Sequence, residues 1–244
     1  MTPSKVGSCL DADDADWIRF AQHWDELMPD TYAAELGTRR LRRYGHFRFA
    51  DGVATPMPHD AFVQPDDSNP LYLQRDRYFE PLTDAFADDP LLKRLLTLLG
   101  RLAAVLDNVA VWSAKVTPFR VLASAEDTGQ PTPEGLHRDG VTLVSSLLIN
   151  RHNARGGESS VVDMNGNSVL TTTLSQPGTL LLGDDRRTMH GVSPIRPIDT
   201  NKPARRDVLV ITFAPALASS VDLMHAIREK ACNNSTLGVA DGGR

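Results

Sequence analysis

Cysteine is scarce in this chain: Cys9 and Cys232, near opposite ends, are the two among 244 residues. That usage excludes a disulfide framework and cysteine-based metal spacings, and it suits a reducing compartment. Long apolar runs are missing too. No stretch approaches the roughly 18 residues that a membrane-spanning helix requires. The opening Met1-Thr2-Pro3-Ser4-Lys5 turns acidic at Asp11, Asp13, Asp14 and Asp16 instead of supplying the apolar core of a signal peptide. Positive charge is not in excess. The 26 Lys and Arg against 31 Asp and Glu leave a net charge of −5 and a pI near 5.8, which argues against general affinity for nucleic acid or an anionic membrane. There is neither a Gly-x-Ser-x-Gly elbow nor a His-Glu-x-x-His helix, so a serine hydrolase or a zincin lacks its usual signature. The expectation is a cytoplasmic protein with a small-molecule partner, no nucleic acid and no membrane; the oligomeric state stays open, a homodimer included.

What is present is ordinary for a globular chain, with 41% hydrophobic and 23% charged residues. At this length roughly 70–75% of the unfolded surface can be buried without staples. Residues 13–28 predict a helix, with Asp13 or Asp14 as cap and Trp17, Phe20, Ala21, Trp24, Leu27 and Met28 at 3–4 spacing before Pro29. The run Arg39-Arg40-Leu41-Arg42-Arg43 reads better as a solvated or ion-paired surface than as a phosphate site, and Phe47-Arg48-Phe49 reads as a strand. Residues 52–70, rich in Pro, Asp and Asn, predict a loop. The segment from Tyr72 to Leu82, with Arg75, Arg77 and Tyr78, leads to a second helix over 90–106, whose leucines at 91, 92, 95, 96, 98, 99 and 102 are core packing.

From Val109 the texture changes. Apolar runs of strand length at 111–123, 141–149, 159–163, 168–174, 178–182, 190–195 and 208–213 alternate with Gly156-Gly157, Asn165-Gly166-Asn167 and Gln176-Pro177-Gly178. Seven or eight short strands predict a β-sandwich or jelly roll, an all-β core with flanking helices packed on its outside. We expect a single domain over 1–231, with N-terminal helical and mixed support at 13–106, a core at 109–215, and a flexible tail at 232–244.

The chemistry centres on Pro133-Glu134-Gly135-Leu136-His137-Arg138-Asp139-Gly140. In an extended strand, residues two apart share a face, so His137 and Asp139 present an imidazole and a carboxylate side by side. His190 lies 53 residues on, at the end of another apolar run, Thr179-Leu180-Leu181-Leu182. Two histidines and a carboxylate on one face of a metal leave the other face open, the facial triad of non-haem iron(II) oxygenases. Taken alone, His-x-Asp is a weak signal that a surface histidine beside a turn aspartate would imitate. The apolar strand after it and the second histidine on another strand give it weight. His23, His46, His59, His152 and His225 fit structural or exposed positions better.

Three segments carry a more specific likeness: His137-Arg138-Asp139-Gly140, then residues 150–158, then Leu182-Gly183-Asp184-Asp185-Arg186-Arg187-Thr188-Met189-His190-Gly191-Val192 with Ser193-Pro194-Ile195. Over roughly residues 40–215 the chain resembles the 2-oxoglutarate-dependent iron(II) dioxygenases, and among them the bacterial free amino-acid hydroxylases of the L-isoleucine 4-hydroxylase type. The resemblance implies a double-stranded β-helix and iron(II), 2-oxoglutarate and dioxygen as cofactor and cosubstrates. It implies His137, Asp139 and His190 as metal ligands, and an arginine on the last barrel strand for the distal carboxylate of 2-oxoglutarate. Such a carboxylate needs a partner once buried, and arginine offers a bidentate fork. Arg206 shares strand parity with Val208, Val210 and Thr212; Arg205 is the competitor and would point the other way. Two departures stand out. Val208 occupies the place where many relatives carry a serine or threonine, and the span from His190 to Arg206 implies an extended loop through residues 197–203.

The implied reaction couples decarboxylation of 2-oxoglutarate to succinate with hydroxylation of an unactivated C–H bond. For a free amino acid, Arg120 is a candidate carboxylate partner that could instead assist 2-oxoglutarate. Arg77 and Tyr78 are candidates at the mouth, and Glu134 and Asp184 are weaker candidates for the ammonium group. A surface salt bridge is the plain alternative for each, and core packing is the plain reading of Trp112 and Phe213. Competing functions are the same metal centre acting on a carrier-bound or unusual amino acid, with desaturation or ring closure, and a non-oxidative cupin-like metal-binding protein.

Overall fold

The computed structural model describes residues 1–62 and 77–216. The expectations placed on Tyr72, Arg75, His225, Cys232 and the C-terminal tail lie outside the described residues.

The N-terminal part is helical. Helix α1 (Pro3–Leu10) is capped by the Thr2 hydroxyl, and α2 (Asp14–Gln22) by Asp13, whose carboxylate accepts from the Asp16 amide. The helix predicted over 13–28 therefore stops early, passing at His23 into a 3-10 turn that ends at Glu26. Three short pieces follow: β1 (Met28–Pro29), α3 (Thr31–Glu35) and β2 (Arg40–Arg42). Next come β3 (Gly45–Ala50), β4 (Val53–Pro56), α4 (Asp84–Ala87) and α5 (Pro90–Leu106). The last matches its predicted bounds. Asp89 caps it by accepting from the Leu91 amide, and Pro90 opens it, where the missing N–H costs nothing. Leu91, Leu92, Leu95, Leu96 and Leu99 recur at 3–4 spacing on one face and are buried. At roughly 1.5–3 kcal/mol per buried leucine, that face decides where the helix lies.

It lies against a sheet. The strands are β5 (Val111–Ala123), β6 (Leu143–His152), β7 (Ala154–Gly156), β8 (Glu158–Asp163) and β9 (Ser168–Thr173), then β10 (Leu180–Asp184), β11 (Thr188–Val192), β12 (Ile195–Pro197) and β13 (Ala204–Pro215). The large sheet runs β1-β2-β5-β13-β6-β10, with β3 paired to β5 and β4 to β3; β11-β8-β9 form a second sheet and β12-β7 a short pair. This mostly antiparallel jelly roll with external helices is the predicted double-stranded β-helix.

Period-two alternation sorts the side chains of the central strands. Trp112, Ala114 and Val116 of β5 and Leu209, Ile211 and Phe213 of β13 join α1, α2 and α5 in the main core. Lys115, Thr117, Phe119 and Val121 of β5 and Arg206, Val208, Val210 and Thr212 of β13 face a pocket on the opposite side of the sheet. Pro118, which cannot donate to a ladder, falls at the gap between the β2 and β3 pairings along β5. The arginine run is solvated at Arg39 and ion-paired at Arg40, but it is not a surface throughout. Arg40 and Arg42 are buried on β2, because their register opposite Val121 and Phe119 turns them to the pocket side.

Candidate functional site

The two halves of the proposed ligand set meet through the backbone. His137 and His190 exchange amide-to-carbonyl hydrogen bonds of 2.9 Å in each direction, an isolated antiparallel bridge between the segment before β6 and strand β11. Their rings then lie with centroids 4.5 Å apart. Asp139 sits beneath both, with carboxylate oxygens 4.0 Å from His137 Nε2 and 3.6 Å from His190 Nε2. One donor atom from each of the three lies within 4.8 Å of the others. His190 sits on β11, one strand beyond the apolar run now seen as β10.

The surroundings suit a metal. His137 Nδ1 lies 2.9 Å from the Gly135 carbonyl oxygen, so it carries the proton there and leaves the Nε2 lone pair for an ion. Gly135 takes a positive φ of 77° to turn that carbonyl inward, a conformation glycine adopts freely. Burial holds His190 below the ordinary histidine value against the upward pull of Asp139, which favours the neutral, ligating form. Asp185, a residue the sequence did not mark, is buried and accepts from the amides of Asp139, Gly140 and Val141, fixing the loop after the second ligand. Burial, and after it the nearby Asp139, raise its carboxyl above the usual range.

Arg206 lines the same pocket at 1% exposure, and its Nε and Nη2 have no hydrogen-bond partner. Burial, then the neighbouring Arg151, pull it down to about 10, which still leaves it charged at neutral pH. A buried guanidinium without an acceptor is costly and fits an incoming carboxylate. Arg205 does not line the pocket. The loop expected between His190 and Arg206 appears as β12 and the turn after it, which the Asn153 amide pins by donating to the Asp199, Lys202 and Pro203 carbonyls. Hydroxyls from Ser146, Ser159 and Thr212 line the pocket although Val208 offers none.

Two candidates are misplaced. Arg120 points to the helix side of β5, where it makes a fork of 2.8 and 2.9 Å with Asp207 and reaches Asp25. Parity explains it: Arg120 alternates with Phe119 and Val121, which face the pocket. Tyr78 is 62% exposed and away from the pocket, its amide held by the Tyr32 hydroxyl. Arg77 is buried and does line the pocket, as does Glu134, whose carboxylate lies 3.5 Å from His137 Nε2. Asp184 is instead paired with Arg186, and Trp112 and Phe213 are core.

The sequence model of the family described as 2OG-Fe dioxygenase matches residues 21–212. This chain belongs to that family. Among solved structures, a BsmA homologue from Methylobium petroleophilum is similar at 34% identity and a TM-score of 0.80, with 88% of this chain and 87% of that one covered. IDO from Bacillus thuringiensis (18% identity, TM-score 0.71, covering 86% and 89%) shares the fold. So does the Fe(II)/α-ketoglutarate-dependent dioxygenase TqaL (20%, 0.65, covering 84% and 76%). No curated protein matches by sequence. Members of the family use iron(II), 2-oxoglutarate and dioxygen, and the His137, Asp139 and His190 cluster is compatible with that iron. No helix among the described residues is long and apolar enough to cross a membrane.

Proposed function

We propose that this dioxygenase hydroxylates an unactivated C–H bond of a free L-amino acid or a close derivative, in the manner of the L-isoleucine 4-hydroxylase type. The observation that carries the reading is the unpartnered, buried Arg206 in the same pocket as His137, Asp139 and His190. In this reading the two imidazoles and the Asp139 carboxylate hold iron(II), and Arg206 takes the distal carboxylate of 2-oxoglutarate. Iron(II) held there would let dioxygen act as the oxidant, one oxygen atom going to succinate as 2-oxoglutarate loses carbon dioxide and the other to the substrate. The protein's part is to aim and to exclude water.

Charges of both signs support an amino acid. Glu134 beside the metal ligands suits an ammonium group, and Arg77 adds positive charge to the same pocket. Short apolar and hydroxyl side chains, Val141, Val144, Val161 and Ser160, line the space between.

The test is mass spectrometry of the purified protein with iron(II), ascorbate, 2-oxoglutarate and the common L-amino acids. A gain of one oxygen atom on one of them, matched by succinate, is expected. Succinate release with every amino acid unchanged would turn the reading towards a carrier-bound or unusual substrate. Metal binding without any succinate would favour a non-oxidative role.

A further inference from the structure

Two arginines on β2, two residues apart and on one face, have opposite fates. Arg40 is matched: Asp30 accepts from its Nε at 2.9 Å and lies 2.8 Å from its Nη2, and Asp30 is held in turn by the Ala33 amide. Arg42 is not matched. It is 3% exposed, it lines the pocket, and its Nε and Nη2 have no hydrogen-bond partner. Its guanidinium lies 3.5 Å from the centroid of Phe79, with Phe62 and Phe119 at 4.9 and 4.8 Å.

That cage offsets part of the burial cost through the ring faces. It cannot replace acceptors, because stacking occupies the face of the guanidinium and leaves its in-plane N–H groups to find oxygen. The neighbouring cations Arg40 and Arg77 repel it, and Asp30, already engaged by Arg40, offsets only part of that. A buried cation at a pocket wall is costly unless something in the pocket compensates it.

We propose that Arg42 is the anchor for a free carboxylate on the substrate, distinct from the carboxylate of 2-oxoglutarate held at Arg206. The inference rests on the oxygenase reading of the pocket and narrows its substrate class. An acid is accepted, while an ester, amide or carrier thioester, which has no carboxylate to offer, is not. The carboxylate is either the α-carboxylate of an amino acid or one on its side chain.

The test uses the full chain loaded with zinc(II), a diamagnetic and redox-inert stand-in, and N-oxalylglycine, an unreactive isostere of 2-oxoglutarate. Arginine Nε resonances are followed by NMR, with Arg42→Lys assigning the Arg42 signal. N-oxalylglycine should move Arg206 and propionate should then move Arg42, saturably; movement of Arg42 by N-oxalylglycine instead, or no response of Arg42 to propionate, overturns the proposal. Binding of the common L-amino acids is measured beside their α-amides, and Asp and Glu beside Asn and Gln. The acid should bind at least about tenfold more tightly than its amide. The series in which this holds names the carboxylate. In Arg42→Gln the preference should vanish. Equal binding of acid and amide by the unaltered protein overturns the proposal even if that variant does not fold. A responsive Arg42 with no amino acid bound or hydroxylated would sink the amino-acid reading and leave the carboxylate anchor standing. Hydroxylation of amides as readily as acids would do the reverse.

Discussion

Asp185 Oδ1 lies 3.6 Å from His190 Nδ1, a buried nitrogen with no hydrogen-bond partner, while the same carboxylate accepts from the amides of three residues just after His137. One side chain thus touches the mounting of both metal-bearing segments. Asp185→Ala would free the loop and leave three amides without their acceptor. Partners that orient metal ligands commonly cost 10–100-fold in metal affinity when removed, and we expect a loss of about that size in a zinc(II) or iron(II) titration. Asp184→Ala should leave metal affinity unchanged, since that neighbour pairs with Arg186 at the surface. Equal effects would mean that Asp185 holds the fold and not the ligands.

Arg206→Gln should weaken 2-oxoglutarate by about ten- to a hundredfold, the range expected for a lost charge-assisted pair of hydrogen bonds. Arg205→Gln should do little, because that side chain is outside the pocket. Anaerobic titration of the iron(II) protein, followed by the visible band of the bound chelate, measures both. Similar shifts in the two variants would undo the assignment.

The legible parts were those in which short-range pattern and packing agree. Helix α5 matched its bounds because the leucine spacing that predicts it is also the face that packs, and Asp89 and Pro90 open it where that spacing starts. Strand β13 was legible from parity, and parity also separated Arg206 from Arg205. Three things escaped. Arg120 had the right chemistry, but its face depends on the β5 register, which one residue of phase reverses. Arg42 was hidden in a run whose composition looks like solvated charge; the alternation Arg40-Leu41-Arg42 was the available signal, and only the strand partner shows it to be buried. Asp185 gave no local signal, since its role arises from a turn folding back on residues 139–141.

His46 is held below the ordinary histidine value of 6.5, first by burial and then by the nearby Lys115, with Asp60 pulling the other way; its Nε2 lies 2.8 Å from the Ser113 hydroxyl. A depressed folded value means that the unfolded chain binds the proton more readily. Stability from this group is therefore full above about 6.5 and is lost as pH falls through the folded value. His190 is depressed as well, so the comparison needs a variant. Urea midpoints between pH 8 and 5 should fall more steeply for the unaltered protein than for His46→Gln. Parallel curves would mean that His46 titrates alike in both states.

Gly100 sets helix propensity against packing. Within α5, alanine is favoured over glycine by about 1 kcal/mol, so an exposed site would gain from the change. Gly100 is buried, and a Cβ there would run into the Phe49 ring at Cε1, Cζ and Cδ1. That ring has little room to yield: it is 5% exposed and packs edge-on against Phe213 with centroids 5.7 Å apart. Overpacking costs typically 1–3 kcal/mol, which outweighs the propensity gain. Gly100→Ala should lower stability by about 1–2 kcal/mol in urea denaturation, with Phe49→Leu in the same chain restoring part of it. A Gly100→Ala protein more stable than its parent would show that α5 can shift on the sheet, and that the close approach of Gly100 to Phe49 is not what fixes its seat.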